Sequence, residues 1–441
     1  MAPRTDKNYY GKDAIPRLLV FGYPLESPPV GGLLWLKRVS DSIRKTGAID
    51  IRNISSERSI DAKLNTQKIV SNVVPCLMMD FYDAVHGFLT LPQVALLDSW
   101  GEANIILWRL LRLFRPHTRI AIIFHHYEPR ISPDSMSKLK SRFTISFAKR
   151  YNAIIEKLTY KMIEDSDMIL TVSRTSAKEL CTKYGLMGVE DSKKEKIRKY
   201  NRPSGRSKIR IVGTGADKLV ISSYAQKDID FFCIGRIEKL EGIEKIWSAI
   251  KKLRPNVNFV MIGRASQDEI NHFRSIGINH KGEVPHQEKL NLYSRSKVFL
   301  FPSNREGYGI ALAESLLLGM SAIIWKLPVF EELYSESVMA KEGQIRFIER
   351  ENYNLFASEA LEALELYDKR KIMIATQESS LTSSSSSSSQ VSSESKKVAA
   401  SSATISVLKI AEKKPEEQVR EVLQSWEDVG RNVVRALSEL L

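Results

Sequence analysis

Between Lys297 and Gly319 the sequence passes from an apolar run through a polar, glycine-bearing turn into a second apolar run, an order that few folds can accommodate. Lys297-Val298-Phe299-Leu300-Phe301 predicts a buried strand, and Ser315-Leu316-Leu317-Leu318-Gly319 predicts a helix ending at glycine. The turn between them holds Gly307 and Gly309 and is bracketed by Glu306 and Glu314, eight positions apart. A strand-to-helix turn of this kind offers free backbone N–H groups and a positive helix end to an anion. Carboxylates beside that end can accept hydrogen bonds from hydroxyl groups. Phosphate and polyhydroxyl recognition in one place point to an activated sugar as ligand.

The same alternation of apolar strand and helix recurs along most of the chain. Leu18 to Tyr23 reads as a first buried strand, followed by a proline-rich loop, then Gly31-Gly32, then a helix beginning near Leu33. Strand, glycine-rich loop and helix form phosphate-cradling architecture. Asp83 to Gly87 and Arg119 to His126 read as further strands, the second ending in His125 and His126. A linker is expected near residues 217–227. A second set then starts: strand Phe231 to Ile234, helix Glu244 to Leu253 with Ile246, Trp247, Ile250 and Leu253 on one face, and strand Asn258 to Ile262. Strands alternating with helices in both halves argue for an α/β protein with two parallel sheets. Ligands of such sheets sit beyond the carboxyl ends of the strands, where His125 and the Glu306–Glu314 turn both fall.

At 441 residues the chain exceeds one ordinary core, which also favours two domains. No apolar run reaches the roughly 20 residues needed to span a bilayer. The first residues, Met1 to Lys7, lack the apolar core of a signal peptide, and Cys76, Cys181 and Cys233 are scattered. A cytoplasmic protein with reduced thiols is expected. No aspartate-rich or Cys/His pattern suggests a metal site. From Tyr367 onward the composition changes, with seven consecutive serines from Ser383 to Ser389. That stretch is expected to be disordered, since it has too little apolar surface to offset ordering entropy. A helical pattern returns from Pro415 to Leu441.

The segment from Pro302 to Gly319 resembles the signature of retaining GT-B glycosyltransferases of the large group 1 (family 4-like) class, with Tyr308 for the usual phenylalanine and Ser315 for the usual alanine. Gly31-Gly32 is similar to that family's N-terminal glycine loop, and His125 to its strand-end histidine. Gly282-Glu283-Val284 resembles the segment bordering the nucleotide base, and Ser425-Trp426-Glu427 resembles the start of the final helix. The resemblance implies two Rossmann-like domains with parallel sheets facing an interdomain cleft, and a C-terminal helix crossing back to the N-terminal domain. It implies residues 1–217 as an acceptor-side domain, 218–375 as a donor-binding domain, 376–410 as a serine-rich insert and 411–441 as the crossing helix.

By the same resemblance, Glu306 and His125 lie at the donor sugar and Glu314 grips the ribose. Gly31, Gly32, Arg236, Val284, Gly307, Tyr308, Gly309 and Ile310 then complete the donor site. The reaction implied is transfer of a hexose-type sugar from a nucleotide diphosphate sugar to a hydroxyl acceptor with retention of configuration. The nucleotide sugar is a co-substrate, and neither cofactor nor metal is required. Breaking the bond from anomeric carbon to phosphate leaves positive charge on the sugar and negative charge on the diphosphate, so the catalyst must neutralise the leaving group. Arg236 offers a guanidinium suited to bidentate contact with phosphate oxygens. Retaining glycosidases use two carboxylates about 5 Å apart, and no second carboxylate for the opposite face of the sugar is legible here; departure and attack on one face is preferred, chiefly as what the resemblance implies.

One position departs from the pattern. Where the family carries a second cation for the diphosphate, this chain has Glu241, and Lys239 or Lys245 is the expected substitute. A lysine installed at 241 is then expected to leave activity unchanged or raise it. The departure keeps two other readings open: a sugar-nucleotide-binding or membrane-docking protein that has lost turnover, and an epimerase or phosphorylase of the same fold.

Net charge is +14, and residues 101–210 alone carry 24 Lys and Arg against 11 Asp and Glu. So localised a field implies an anionic partner. Arg109, Arg112 and Arg115 recur at helical spacing, and the stretch from Lys138 to Met162 mixes cations with apolar residues. Basic amphipathic helices suit an anionic membrane surface, so peripheral contact with the inner face of the cell membrane and a lipid-linked acceptor are the expected partners. No aromatic platform or known motif supports nucleic acid.

Overall fold

The computed structural model describes residues 17–21, 32–47, 49–54, 69–99, 101–127, 142–185, 209–216, 227–384 and 423–440. The chain divides into two units, Met1–Ala216 with Gln424–Leu441, and Asp217–Leu423.

The first unit is built from β1 (Arg17–Phe21), α1 (Gly32–Thr46), β2 (Asp50–Ile54), α2 (Ile69–Leu89), β3 (Val94–Asp98), α3 (Glu102–Phe114), β4 (Arg119–Phe124), α4 (Arg142–Asp165), β5 (Met168–Thr171), α5 (Arg174–Tyr184) and β6 (Ile209–Ile211). Its six strands are parallel in the order β2-β1-β3-β4-β5-β6. β3, β4 and β5 are buried almost throughout, as expected when helices cover both faces of a sheet. Leu19, Phe21, Leu97, Ile122 and Ile169 form the core with Leu107 and Leu111 of α3.

The strand expected at Asp83 to Gly87 is instead part of α2. Ala84, Gly87 and Phe88 turn inward at helical spacing, and a Cβ on Gly87 would meet Leu107 at 3.0 Å and Phe21 at 3.1 Å. Helix packing at that glycine, not strand pairing, explains the local pattern. The strand lies a few residues later, at the wholly buried Val94–Asp98.

The second unit contains β7 (Ile229–Ile234), a short 3-10 turn at Ile237–Lys239, α6 (Ile243–Leu253), β8 (Phe259–Ile262), α7 (Gln267–Ser275), β9 (Asn279–His280), α8 (His286–Arg295), β10 (Ser296–Phe301), α9 (Ile310–Leu317), β11 (Ser321–Trp325), α10 (Pro328–Tyr334), α11 (Val338–Lys341), β12 (Ile345–Ile348) and α12 (Tyr353–Ser384). All its strands are parallel, in the order β12-β11-β10-β7-β8-β9. The sheet is thus laid down in both directions from β7, and the order reverses between β7 and β10. Doubly wound sheets bind ligands at that reversal, outside the carboxyl ends of the strands. Phe231, Phe232, Phe299, Trp325 and Phe330 fill the core around it.

α12 continues to Ser384, inside the stretch 376–410 expected to be disordered, because extending an existing helix adds one hydrogen bond per residue fixed and avoids the cost of a new nucleus. Residues 385–410 of that stretch lie outside the described residues.

The chain returns to the first unit through α13 (Trp426–Ser438), which opens on a capping box formed by Ser425 and Asp428. α13 packs on α1, so close at Gly430 that a Cβ there would overlap Ser42. Its approach is pinned by a parallel bridge between Gly215 and Gln424 and by an Arg210–Glu439 ion pair at 2.7 Å. Two Rossmann-like parallel-sheet units with a C-terminal helix on α1 constitute the GT-B fold. No helix among the described residues is long and apolar enough to cross a membrane.

Candidate functional site

In the second unit the loops that follow β7 and β10 are stitched together at the reversal point. Leu240 and Ser303 form an antiparallel bridge, Glu241 N donates to the Pro302 carbonyl at 2.8 Å, and Asn304 N donates to the Lys239 carbonyl at 2.9 Å. The first loop carries Arg236 and the second carries Glu306 through Gly309, so the two loops that hold these predicted residues are neighbours. Arg236 lies 3.5 Å from Glu238 in an ion pair. Glu306 accepts a hydrogen bond from Ser303 Oγ at 2.9 Å, which fixes its carboxylate beside the turn.

Gly309 is the N-cap of α9 with φ of 85°, and a Cβ there would meet the Phe330 ring at 2.7 Å, so glycine is required on two counts. No side chain caps this helix end, leaving its first N–H groups for an anion. Gly307 is buried and Ile310 half-buried at the same turn. Tyr308 is only 6% exposed, and burial, reinforced by Glu332, raises its phenol above the ordinary range. Its ring is therefore core, and only its backbone is available to a ligand at this turn. Val284 is half-buried in the loop between β9 and α8.

Glu314, one turn into α9, is 2% exposed, and a buried carboxylate needs partners. Lys289 of α8 supplies them, its Nζ donating to Oε1 at 2.9 Å and Oε2 at 3.0 Å. The Tyr293 hydroxyl lies 3.1 Å from Oε2 and 3.0 Å from the Ala311 carbonyl, sharing its one proton between them. Burial, then the charge of Glu314, keeps that phenol protonated. Lys289 and Tyr293 were not predicted as site residues, and nothing in their local sequence ties them to a glutamate 25 or 21 positions away.

Glu241 has a partner that the sequence concealed. Arg350, two residues beyond β12, donates from Nη2 at 2.6 Å and from Nε at 3.0 Å to Glu241 Oε2. The Glu241 carbonyl accepts from Trp325 Nε1 at 3.2 Å. The acid at the expected cation position is thus matched by a guanidinium from 109 residues away. Lys245, one of the expected substitutes, stacks over the Tyr353 ring at 4.7 Å.

In the first unit, Gly32 begins α1, while Gly31 lies outside the described residues. His125 directly follows β4. Its ring meets Trp35 of α1 edge-on, with centroids 5.6 Å apart, and Trp35 Nε1 donates to the Gly213 carbonyl at 2.9 Å. The His125 carbonyl accepts from Ser176 Oγ at 2.5 Å, fixing the strand end against α5. His125 as a whole is half-buried, but its Nε2 is sealed and has no hydrogen-bond partner. Burial, with a smaller contribution from His126, pushes its pKa down to about 3. A neutral imidazole with a waiting ring nitrogen results. Trp35 was missed in the sequence because an inward tryptophan on a helix reads as ordinary core.

The three arginines of α3 differ in their surroundings. Arg112 is held by Asp165 at 2.7 Å and Asp167 at 3.0 Å, Arg109 lies over the Trp108 ring at 4.2 Å, and Arg115 lies over Phe88 at 4.9 Å. Arg112 is thus neutralised by acids, while Arg109 stays exposed and Arg115 half-buried, each over a ring. Among the described residues no group of three or more His, Cys, Asp or Glu side chains could hold a metal ion.

Residues 218–379 match the family described as Glycosyl transferases group 1. Over 159 residues the chain is 27% identical to the GtfA subunit of a UDP-N-acetylglucosamine–peptide N-acetylglucosaminyltransferase from Streptococcus pneumoniae, a match covering 34% of this chain and 30% of that relative's length. Among solved structures, sucrose-phosphate synthase from Thermosynechococcus elongatus superposes with a TM-score of 0.60 at 11% identity, covering 96% of this chain and 99% of that one. The catalytic domain of starch synthase IV from Arabidopsis thaliana, bound to ADP and acarbose, gives a TM-score of 0.57 at 11% identity over 97% and 99% of the two chains. These likenesses extend the GT-B fold over nearly the whole chain, and the family match falls on the unit that carries the Glu306–Glu314 turn.

Proposed function

We propose that this protein is a glycosyltransferase that moves a hexose-type sugar from a nucleotide diphosphate sugar to a hydroxyl acceptor with retention of anomeric configuration. The observation that carries the proposal is the uncapped, glycine-started helix α9 at the reversal point of the second sheet, with Glu306 just before it, Glu314 within it and the loop of Arg236 bonded to the loop that leads into it. That constellation supports a phosphate at the helix end and a hydroxyl group on Glu306, while the buried Glu314 is assigned to the ribose by family resemblance.

In this reading Arg236 and the N–H groups of the 307–310 turn neutralise the departing diphosphate. Glu314 accepts from the ribose and Glu306 from the sugar. His125, assigned to the donor sugar by family resemblance, acts as a neutral hydrogen-bonding group, consistent with its lowered pKa. The bond from anomeric carbon to phosphate oxygen breaks as the bond to the acceptor oxygen forms on the same face, and the acceptor proton leaves with the diphosphate. The chemistry asks for no metal, since cations and backbone dipoles stabilise the leaving group. A lipid-linked acceptor is the preferred hydroxyl source, given the charge of residues 101–210.

Calorimetric titration with nucleoside diphosphates tests the donor site. Binding that weakens at least tenfold in Arg236→Ala supports it, and absence of binding by every nucleoside diphosphate overturns it. UDP-N-acetylglucosamine is the first donor to try, because it appears in the name of the similar pneumococcal transferase. One observation, Glu241 where a cation is expected, favours a second reading, a sugar-nucleotide-binding protein without turnover. Donor binding with no transfer to any acceptor would select it.

A further inference from the structure

Arg112 of α3 is held by acids, and α4 offers a further set of cations, five against the three acids Glu156, Glu164 and Asp165. Arg142, Lys149, Arg150, Lys157 and Lys161 are all exposed along this helix. At 100° per residue they fall within an arc of about 140°. Phe143 and Ile154 share the arc and are 72% and 59% exposed. The opposite side, with Ala148, Ile155, Thr159, Met162 and Ile163, is buried against the unit. Nearby acids are largely engaged already: Glu156 pairs with Lys183 at 2.6 Å, and Asp165 binds Arg112 and accepts from Trp108 Nε1. Glu164 is the one acid on the exposed arc itself.

We infer that the exposed face of α4 docks on an anionic lipid surface. Cations interleaved with large apolar side chains on one helix face fit the interface of a bilayer, where the cations meet headgroup phosphates and the apolar groups enter the acyl boundary. A purely electrostatic partner would leave Phe143 and Ile154 unexplained. α4 also carries the half-buried rings of Phe147 and Tyr151, stacked with centroids 6.2 Å apart, so single-stranded RNA is the competitor that the test must include. The topology gives the docking a purpose. α4 connects parallel strands, so its first turn lies at the carboxyl edge of the sheet, the edge that carries His125. A membrane held there would present a lipid-borne hydroxyl to the edge where ligands bind. That last step rests on the transferase reading, whereas the docking itself does not.

The test is flotation of the full chain with phosphatidylglycerol–phosphatidylcholine vesicles and with pure phosphatidylcholine vesicles. Binding only to the anionic vesicles, weakened by salt, is expected. Lys149→Glu/Arg150→Glu/Lys157→Glu should lower it by about a hundredfold, and Phe143→Ser by about tenfold. Hydrogen exchange of peptides from β4 and β5 should stay unchanged in the same variants, which verifies the fold of the first unit, and unchanged nucleoside diphosphate affinity separates failure of docking from failure of the donor site. The inference is overturned by no binding to anionic vesicles, by undiminished binding in the triple variant, or by single-stranded RNA displacing the vesicles at low concentration.

Discussion

Lys289→Met isolates the most buried charge of the candidate site. The Glu314 side chain is 3% exposed and Lys289 20%, and the two contacts are 2.9 and 3.0 Å. Removing one partner of a buried ion pair costs about 3–5 kcal/mol, because the remaining charge is left without compensation. Two features place this pair at the lower end: Tyr293 still offers its hydroxyl to Oε2, and the lysine end is open to water. The expected loss is therefore about 3 kcal/mol. Removing both charges in Lys289→Met/Glu314→Leu should recover most of it, since an apolar replacement of a buried pair is often neutral or better. Urea dependence of hydrogen exchange, followed on peptides from α8 and α9, measures the stability of this unit without contribution from the other. A loss below about 1 kcal/mol, or a double variant no more stable than the single, would refute the view that Glu314 is a buried anion held by Lys289.

Glu241→Lys, which the family pattern alone suggests should be harmless or beneficial, is now expected to lower nucleoside diphosphate affinity several-fold by setting a lysine against Arg350; Glu241→Lys/Arg350→Glu should restore it, as titration of both variants would show. His125 makes stability depend on pH with a definite sign. Its folded pKa is lowered from 6.5 to about 3, so its contribution is complete above pH 6.5 and is lost as pH falls from there toward 3. The shift sets an upper limit of roughly 5 kcal/mol, and urea midpoints of His125→Gln should show a shallower decline over that range than the unmodified chain. A parallel decline in both would remove the buried, neutral His125 from the account.

What the sequence disclosed depended on distance along the chain. The turn from Pro302 to Glu314 is contiguous, so its glycines, carboxylates and flanking strand and helix could be read together. Most strands were legible as short apolar runs, but Asp83 to Gly87 shows the limit: a brief apolar pattern fits a buried helix face as well as a strand, and only packing on Phe21 and Leu107 decides. Arg350 and Lys289 could not be read, because their partners are supplied by sheet order, which brings β12 and α8 to the same edge as β10. The surroundings of Arg109, Arg112 and Arg115 were hidden for the same reason. Periodicity gives the side of a helix, but not whether Asp165 or Phe88 is waiting there.

The central claim is that the turn from Glu306 to Glu314 serves sugar transfer, and release of nucleoside diphosphate from a panel of nucleotide sugars, with and without hydroxyl acceptors, tests it most directly. Acceptor-dependent release from at least one donor is predicted, falling about a hundredfold in Glu306→Gln while nucleoside diphosphate affinity stays within a few-fold. Release that is unaffected by Glu306→Gln, or no release from any donor under conditions where the diphosphate binds, would contradict it.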